Sequence, residues 1–493
     1  MESVSGDASE VLVVGGGPAG CTAARLLALW GHRVRLVAKP HAAGAVGLAE
    51  SLTPSCGKFF DLLGIRDAID AAGFVPTTGN TVWWGSSTPR VETFADGAWG
   101  WQVTAPRLEG VMQTAAAEAG VGIEERLLTP EDADGWPARF RIDCTGRAGV
   151  LARARAGRVA EPGHRTVALS AVWRREGAWP LPDPSHTLIE SYADGWAWSV
   201  PIDRGRRAVA VMVDPQTSSL ARGEGALATY LAELQKTTRF RELLSGASHE
   251  GGPVGWDASM YHATHYAGDD WLVAGDAASF VDPLSSAGVK KALASGWLAA
   301  IVVHTSLTNP AMGPVARQFF AGREAEMYAN FLALTKLYLH EVAVGQAHPF
   351  WAERAEAREI ADRQDRQAQE RAAVEAAYER VRAAPELAAS RGPHVRVEPR
   401  PAIGGSTIVL EPRLVTDDEP TGVRFLYDVD VVTLVELAPS CRQVPDLFEA
   451  CVRQAGPMDL AAFLTALATA VARGWLELAP GNGSQTPSNS PEV

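Results

Sequence analysis

Val11-Leu12-Val13-Val14-Gly15-Gly16-Gly17-Pro18-Ala19-Gly20 is the stretch that decides the fold of this chain. Four apolar residues of strand character run into Gly15-x-Gly17-x-x-Gly20, and Cys21 to Trp30 read as a helix. A buried strand, a glycine turn and a helix, in that order, suit a dinucleotide pyrophosphate. Gly15 makes the tight turn, Gly17 lets the backbone approach the phosphates, and Gly20 lets helix and strand pack closely. The N–H groups of the first helical turn, around Ala19, then face the anion.

The totals bound what surrounds this unit. A chain of 493 residues, 46% hydrophobic and 21% charged, has room for two or three domains and a large core. A net charge of −13 speaks against nucleic acid as a partner. Met1 to Glu10 is polar and acidic, unlike a signal peptide, and no apolar run reaches the roughly 20 residues that span a bilayer. The five cysteines (Cys21, Cys56, Cys144, Cys441, Cys451) are scattered without metal-ligand spacing. They read as buried thiols in a reducing compartment, so the expected location is the cytoplasm, with no metal and no membrane contact.

Downstream of the glycine turn, the helix ends at Gly31 and Val34 to Val37 forms a second strand. The acid that closes this strand in the usual fingerprint takes the ribose hydroxyls. Here Ala38 stands in its place, followed by Lys39, which reads either as a phosphate contact or as a solvent-facing side chain. Glu50-Ser51-x-x-Pro54 follows, then an amphipathic helix, Phe59 to Ile65, closed by Gly64. Trp83 and Trp84 are adjacent on a strand and must point to opposite faces. Arg107 opens a helix running to Ala119. Asp143-Cys144-Thr145-Gly146-Arg147 follows a strand, and Trp271 to Ala274 is an apolar strand ending at Gly275-Asp276. Pro283, Gly288 and Val289 open the next helix.

These separated motifs, in this order, resemble the group A flavoprotein monooxygenases with the p-hydroxybenzoate hydroxylase-type fold. The resemblance implies an α/β chain whose Rossmann-like domain binds FAD. Asp276 would take a ribityl hydroxyl, and the helix start at Gly288 and Val289 would face the flavin pyrimidine. The expected cofactor contacts are Gly15, Gly17, Ala19, Gly20, Ala38, Lys39, Ser51, Arg107, Gly275, Asp276, Pro283, Gly288 and Val289.

Between Arg147 and Trp271, four segments alternate apolar and polar residues as half-buried strands do: Thr166 to Trp173, Thr187 to Tyr192, Trp196 to Ile202 and Ala208 to Val213. Within them, Gly195-Trp196-Ala197-Trp198-Ser199-Val200-Pro201 resembles the Trp-x-Trp-x-Ile-Pro signature of flavin-dependent halogenases. Glu50-Ser51-x-x-Pro54, Asp282-Pro283-x-Ser285-Ser286-x-Gly288 and Pro349-Phe350-Trp351 are similar to the same family, so the resemblance spans about residues 10 to 360. Period two puts both indoles on one face, either in a pocket or packing a sheet.

The family carries a lysine two residues before a glycine that matches Gly79; here that position is Thr77. No lysine lies between Lys58 and Lys236, so no ammonium group is expected at the site. Ser285 stands where tryptophan halogenases place a glutamate. A hydroxyl cannot act as a charged donor. The expected reaction is therefore hydroxylation of an indole or phenol by O2 and reduced FAD, through the flavin C4a-hydroperoxide. Thr77, Trp196, Trp198 and Ser285 are the candidate pocket residues, with Trp83 or Trp84 beside them. His262 and His265 read as loop histidines rather than bases. One alternative is a halogenase with an atypical site; another is a flavin-binding module that recognises a peptide without oxygenating it. The substrate is an aromatic small molecule, a carrier-bound group or a Trp or Tyr side chain of a peptide. The electrons come from NAD(P)H directly or from a separate flavin reductase.

From Asn330 to about Ala389 the chain is rich in Ala, Glu, Arg and Gln and reads as long solvated helix, broken at Arg391-Gly392-Pro393. Three strands (394–403, 406–415, 423–428) and three helices (429–437, 444–454, 459–473) follow. That order resembles the PqqD-like modules that bind the leader of a precursor peptide as an added strand; a plain capping or dimerising domain is the other reading. The expected domains are 8–165 with 256–330 for FAD, part of 40–110 facing the substrate, 166–255 as a middle β-sheet, 331–390 as helix, and 394–479 as a small βββααα domain. Residues 480–493 form an expected disordered tail.

Overall fold

Val11–Val14 is buried along its whole length because it lies in the middle of a parallel sheet, where both faces are covered and alternation has no place. The sheet runs Trp271–Val273, Phe140–Asp143, Val11–Val14, Val34–Ala38, Gly122–Glu125, and every pairing is parallel. The chain winds outward on one side of Val11–Val14 and then on the other. Its carboxyl end, where Val14 lies between Val37 and Asp143, is the switch point at which ligands enter such sheets. The computed structural model describes residues 9–40, 47–223, 225–346, 348–355, 357–384 and 386–478.

Two helices cover this end of the sheet, Pro18–Leu29 and Gly288–Thr308. They approach so closely that a Cβ on Gly296 would lie 2.3 Å from the Ala19 carbonyl oxygen. A short antiparallel sheet, Ala49–Leu52, Gly100–Thr104 and Val75–Thr77, stands beside them.

The middle sheet has seven strands. The four expected ones lie at Val167–Arg174, Thr187–Tyr192, Gly195–Pro201 and Arg206–Val213. Ser248–Asp257 extends one edge, while Gly79–Trp83 and Arg90–Thr93, from the first hundred residues, extend the other. Trp83 packs on one side with Trp173 and Tyr230. Trp84 packs on the other, edge-on to Trp196 and Trp351 at 6.2 and 5.5 Å.

Gly313–Gly345, Pro349–Ala355 and Ala357–Ala383 supply the helical stretch that follows. No single described helix is long and apolar enough to cross a membrane. The chain divides into two compact units, residues 1–360 with 405–407, and residues 361–404 with 408–493. The expected break at 391–393 is thus too late. Ala377 and Val381, one turn apart on an otherwise charged helix, are buried in the second unit's own core with Leu434, Leu447, Phe463 and Trp475. In that unit Arg396–Gly404 and Thr407–Val415 pair, and helices occupy Val431–Leu437, Val444–Ala455 and Leu460–Ala472. The expected third strand is a short hairpin instead, Phe425–Leu426 against Val429–Asp430, turning through Tyr427 and Asp428 at positive φ. The expected tail lies outside the described residues.

One polar chain ties the Rossmann-like layers together. His32 contacts Glu10 through Nδ1 at 2.9 Å and His304 through Nε2 at 2.8 Å, and Arg139 holds the other Glu10 oxygen at 2.5 Å. Burial first, and then the facing His32, holds the His304 imidazole below its ordinary 6.5. Burial alone would raise Glu10, but His32 and Arg139 outweigh it and keep the carboxyl below 4.5. In both cases the unfolded chain binds the proton first, so stability is present above the unfolded value and lost as pH falls through the folded one. Urea unfolding midpoints should therefore hold above about pH 6.5 and decline below it, and His304→Gln should flatten the first part of that decline.

Candidate functional site

The site begins at the turn after Val14. Gly15 has φ +111°, and a Cβ there would sit 2.2 Å from the Cys144 carbonyl oxygen. A Cβ on Gly20 would come within 1.8 Å of the Gly15 carbonyl oxygen, so only glycine lets this helix rest on this strand. Gly17 and Gly288 are different. The nearest atom to a Cβ on Gly17 is Glu109 Oε1 at 3.8 Å, and nothing lies within 4 Å of one on Gly288. Neither glycine is required by the protein's own packing, yet each stands at the start of a helix, of 12 and 21 residues respectively. The space they keep open is what a pyrophosphate and a flat ring need at two helix N-termini.

The walls match that ligand. From the Ala105–Glu118 helix, Gln113 Nε2 donates to the Gly16 carbonyl at 2.9 Å, and Glu109 faces Gly17 one turn earlier. Desolvation, and then the neighbouring Asp276 and Glu109 carboxylates, pushes the Glu50 carboxyl up to about 8. Three carboxyl groups directed at one space suit a ligand rich in hydroxyl donors, as the ribose and ribityl portions of FAD are. The residues present thus fit FAD: the glycine turn would hold the pyrophosphate, and Glu50, Glu109 and Asp276 the polyol parts. Bound there, FAD would supply two-electron redox chemistry and the activation of O2.

The Asp276 turn is built from beneath. Gly275 N donates to Ser295 Oγ at 2.8 Å. The fully buried Lys291 ammonium donates to the carbonyls of Gly275, at 2.9 Å, and Ser279, and lies 3.4 Å from Asp276 Oδ1. Tyr261 OH donates to the Asp276 carbonyl at 2.5 Å. Glu324, buried on the Gly313–Gly345 helix, is pushed up to about 7 by desolvation, against the pull of Lys291 and Ser295.

Several expected contacts lie elsewhere. Ala38 is buried against Gly16, whereas Lys39 is exposed beyond the strand end. Ser51 accepts from Thr187 Oγ1 at 2.8 Å, toward the middle sheet, because side chains alternate along Ala49–Leu52 and Glu50 takes the cofactor face. Arg107 is exposed and its guanidinium lies over Phe74 at 5.4 Å, in a cleft of about 460 Å3 shared with Arg204 and Arg206. It leaves the glycine turn to Glu109 and Gln113, which lie on a different face of the same helix. Pro283 opens a short turn in which Asp282 accepts from Leu284 N, and Val289 is the half-buried second residue of the next helix.

The pocket expected around Thr77 is corrected in the same way. Thr77 is fully buried, and its hydroxyl is engaged within its own turn, donating to Gly79 O at 3.1 Å. Trp196 is 2% exposed beneath Trp84, and Trp198 packs beside the same core, so both act in sheet packing. Ser285 belongs to the Pro283–Ser285 turn, and its side chain lies outside the described residues. His262 rests against Tyr328, ring to ring at 5.0 Å, and His265 is exposed beside Thr264.

The cleft in this region is formed by other residues. About 480 Å3 in volume, it is lined by Thr53, Ser55, Phe94, Ser286, Lys290 and Phe331, among others. Lys290, in the first turn of the Gly288–Thr308 helix, corrects the expectation that no ammonium group is in reach of the site. Its sequence signal was present, two lysines directly after Gly288-Val289, but the family's lysine position is on a strand two hundred residues away.

Lys291→Met would strip two carbonyls and two carboxyl groups of their cation in a buried site. We expect a loss of about 3 kcal/mol or more in urea unfolding, together with a clear drop in bound FAD per chain measured by visible absorbance.

The comparisons agree with this geometry. A family model described as FAD binding domain matches residues 8–156, and one described as tryptophan halogenase matches residues 102–386. The flavin-dependent halogenase armH3 of Armillaria mellea is 26% identical over 67% of this chain and 74% of its own length. The tryptophan 2-halogenase of Chondromyces crocatus is 26% identical over 70% of each chain. Among solved structures, the flavin-dependent halogenase CmlS superposes with a TM-score of 0.76, 19% identity and coverage of 97% of both chains. The peptidyl tryptophan dihydroxylase QhpG superposes with a TM-score of 0.63, 23% identity and coverage of 95% of this chain and 99% of its own. With the glycine turn, the Gly275-Asp276 turn and a match across more than half its length, the chain belongs to the tryptophan halogenase family of FAD-dependent enzymes.

Proposed function

We propose that this member of the family is an FAD-dependent monooxygenase that hydroxylates an electron-rich aromatic ring, an indole or a phenol. The observation that carries the reading is Thr77. It occupies the position of the family's lysine, is shut away from solvent, and holds its hydroxyl within its own backbone turn. Without an ammonium on that strand, oxygen goes directly to the ring. One atom of O2 enters a ring C–H bond, the other leaves as water, and two electrons come from reduced FAD. The chain's own part is to bind, orient and exclude water. The likeness to a peptidyl tryptophan dihydroxylase over 95% of this chain supports hydroxylation on this fold. It also supports a peptide as the carrier of the ring, with residues 394–479 as the peptide-binding module. Electrons reach FAD from NAD(P)H or from a separate flavin reductase.

A second reading is favoured by a specific observation. Lys290 lines the cleft, and the curated relatives are halogenases, so halogenation with Lys290 as the ammonium donor is the competing outcome. Incubation with chemically reduced FAD, O2, bromide and a panel of indoles and phenols separates the two. A product heavier by one oxygen is expected; a brominated product would overturn the proposal, and hydrogen peroxide alone would point to binding without oxygenation.

A further inference from the structure

We propose that Lys290 holds the ionised oxygen of a phenolic ring seated between Phe94 and Phe331, which makes phenols rather than indoles the substrate class. This rests on the hydroxylation reading above and narrows it.

Four features of the cleft carry the inference. The ammonium is half-buried, and no described residue forms a hydrogen bond or ion pair with it. In a chain with 58 acidic against 45 basic residues, a lysine in a cleft without a carboxylate partner is a cation left for a ligand. The lining contains no acidic side chain. Its apolar part is the Phe94 and Phe331 rings with a proline and three alanines, and its other polar groups are hydroxyls, with Thr53 Oγ1 and Ser55 Oγ 2.9 Å apart. Ser286, at the same wall, holds a left-handed backbone, φ +46° and ψ +28°, uncommon for a serine. An indole offers an N–H donor and no anion, so it leaves Lys290 unmatched. A phenolate matches both the rings and the charge, and a cleft of about 480 Å3 is ample for one such ring.

The charge also serves the reaction. A phenol bound with its oxygen ionised carries greater electron density at the ring carbons ortho and para to that oxygen. The carbon's electron pair forms the new C–O bond, and the ring then loses a proton to restore aromaticity. The remaining oxygen atom departs as water with the two electrons of reduced FAD, so the sum is phenol, O2, two electrons and two protons to diphenol and water. Lys290 holds the phenolate oxygen throughout and takes no proton.

The test reads binding before turnover. Para-nitrophenol is titrated into the oxidised holoenzyme across pH, and the phenolate band is followed as a difference spectrum. We expect the bound probe to ionise about one pH unit lower than the free one. Lys290→Met should abolish that shift and weaken binding about tenfold or more, while Lys290→Arg should keep the shift. The methyl ether of the probe should bind equally to the native and Met forms. An unchanged shift and affinity in Lys290→Met would overturn the inference, as would equal preference for the ether and the phenol. Failure of the hydroxylation reading shows separately, as a brominated or unaltered product in the mass assay, whatever the probe reports.

Discussion

A single contact governs much of this molecule: the backbone of the first helix resting on the carbonyl of Gly15, at a distance that leaves no space for a side chain at Gly20. That approach turns the helix N-terminus toward the carboxyl end of Val11–Val14. It also draws in the Gly288–Thr308 helix, whose Gly296 meets Ala19 with similar closeness. Two helix starts thus converge at the point where the strand order reverses. A ligand carrying negative charge along one edge is the natural complement to such a place.

The surrounding polar groups suit that ligand in a less obvious way. Placing Glu50, Glu109 and Asp276 around one space is electrostatically unfavourable, and it adds to the desolvation that already raises the Glu50 carboxyl. Hydroxyl donors relieve such crowding without adding charge. Below them, Lys291 supplies the positive charge from inside the fold, through carbonyls rather than at the surface. The acceptors therefore face the ligand and the cation faces the core. That arrangement braces the Asp276 turn from beneath, with the Lys291 ammonium also 3.4 Å from Asp276 Oδ1.

Membership of a halogenase family and the chemistry of this chain are separable questions, because a fold carries its site as a graft. Thr77 shows the separation: the strand that would offer an ammonium is present and paired, and the side chain at that position is a buried hydroxyl. Lys290 shows the complement, an ammonium that lines the cleft from a different element, at a helix start.

Local patterns were legible from the chain alone. A continuous apolar strand before a glycine turn implies a parallel sheet, since burial on both faces removes alternation, and Trp83 and Trp84 had to part to opposite cores because a strand has period two. The three C-terminal helices were equally plain, as apolar faces repeating at helical spacing between turn residues. What only the tertiary structure decided is which side chains share a space. Ser51 and Glu50 trade faces by one step of the pleat, Arg107 leaves the glycine turn to Glu109 and Gln113 by its angle around the helix axis, and Trp196 becomes core because Trp84 and Trp351, distant in sequence, close over it. Periodicity describes each element against itself. The partner that covers a face, or leaves Lys290 uncovered, is set by long-range packing that no local pattern encodes.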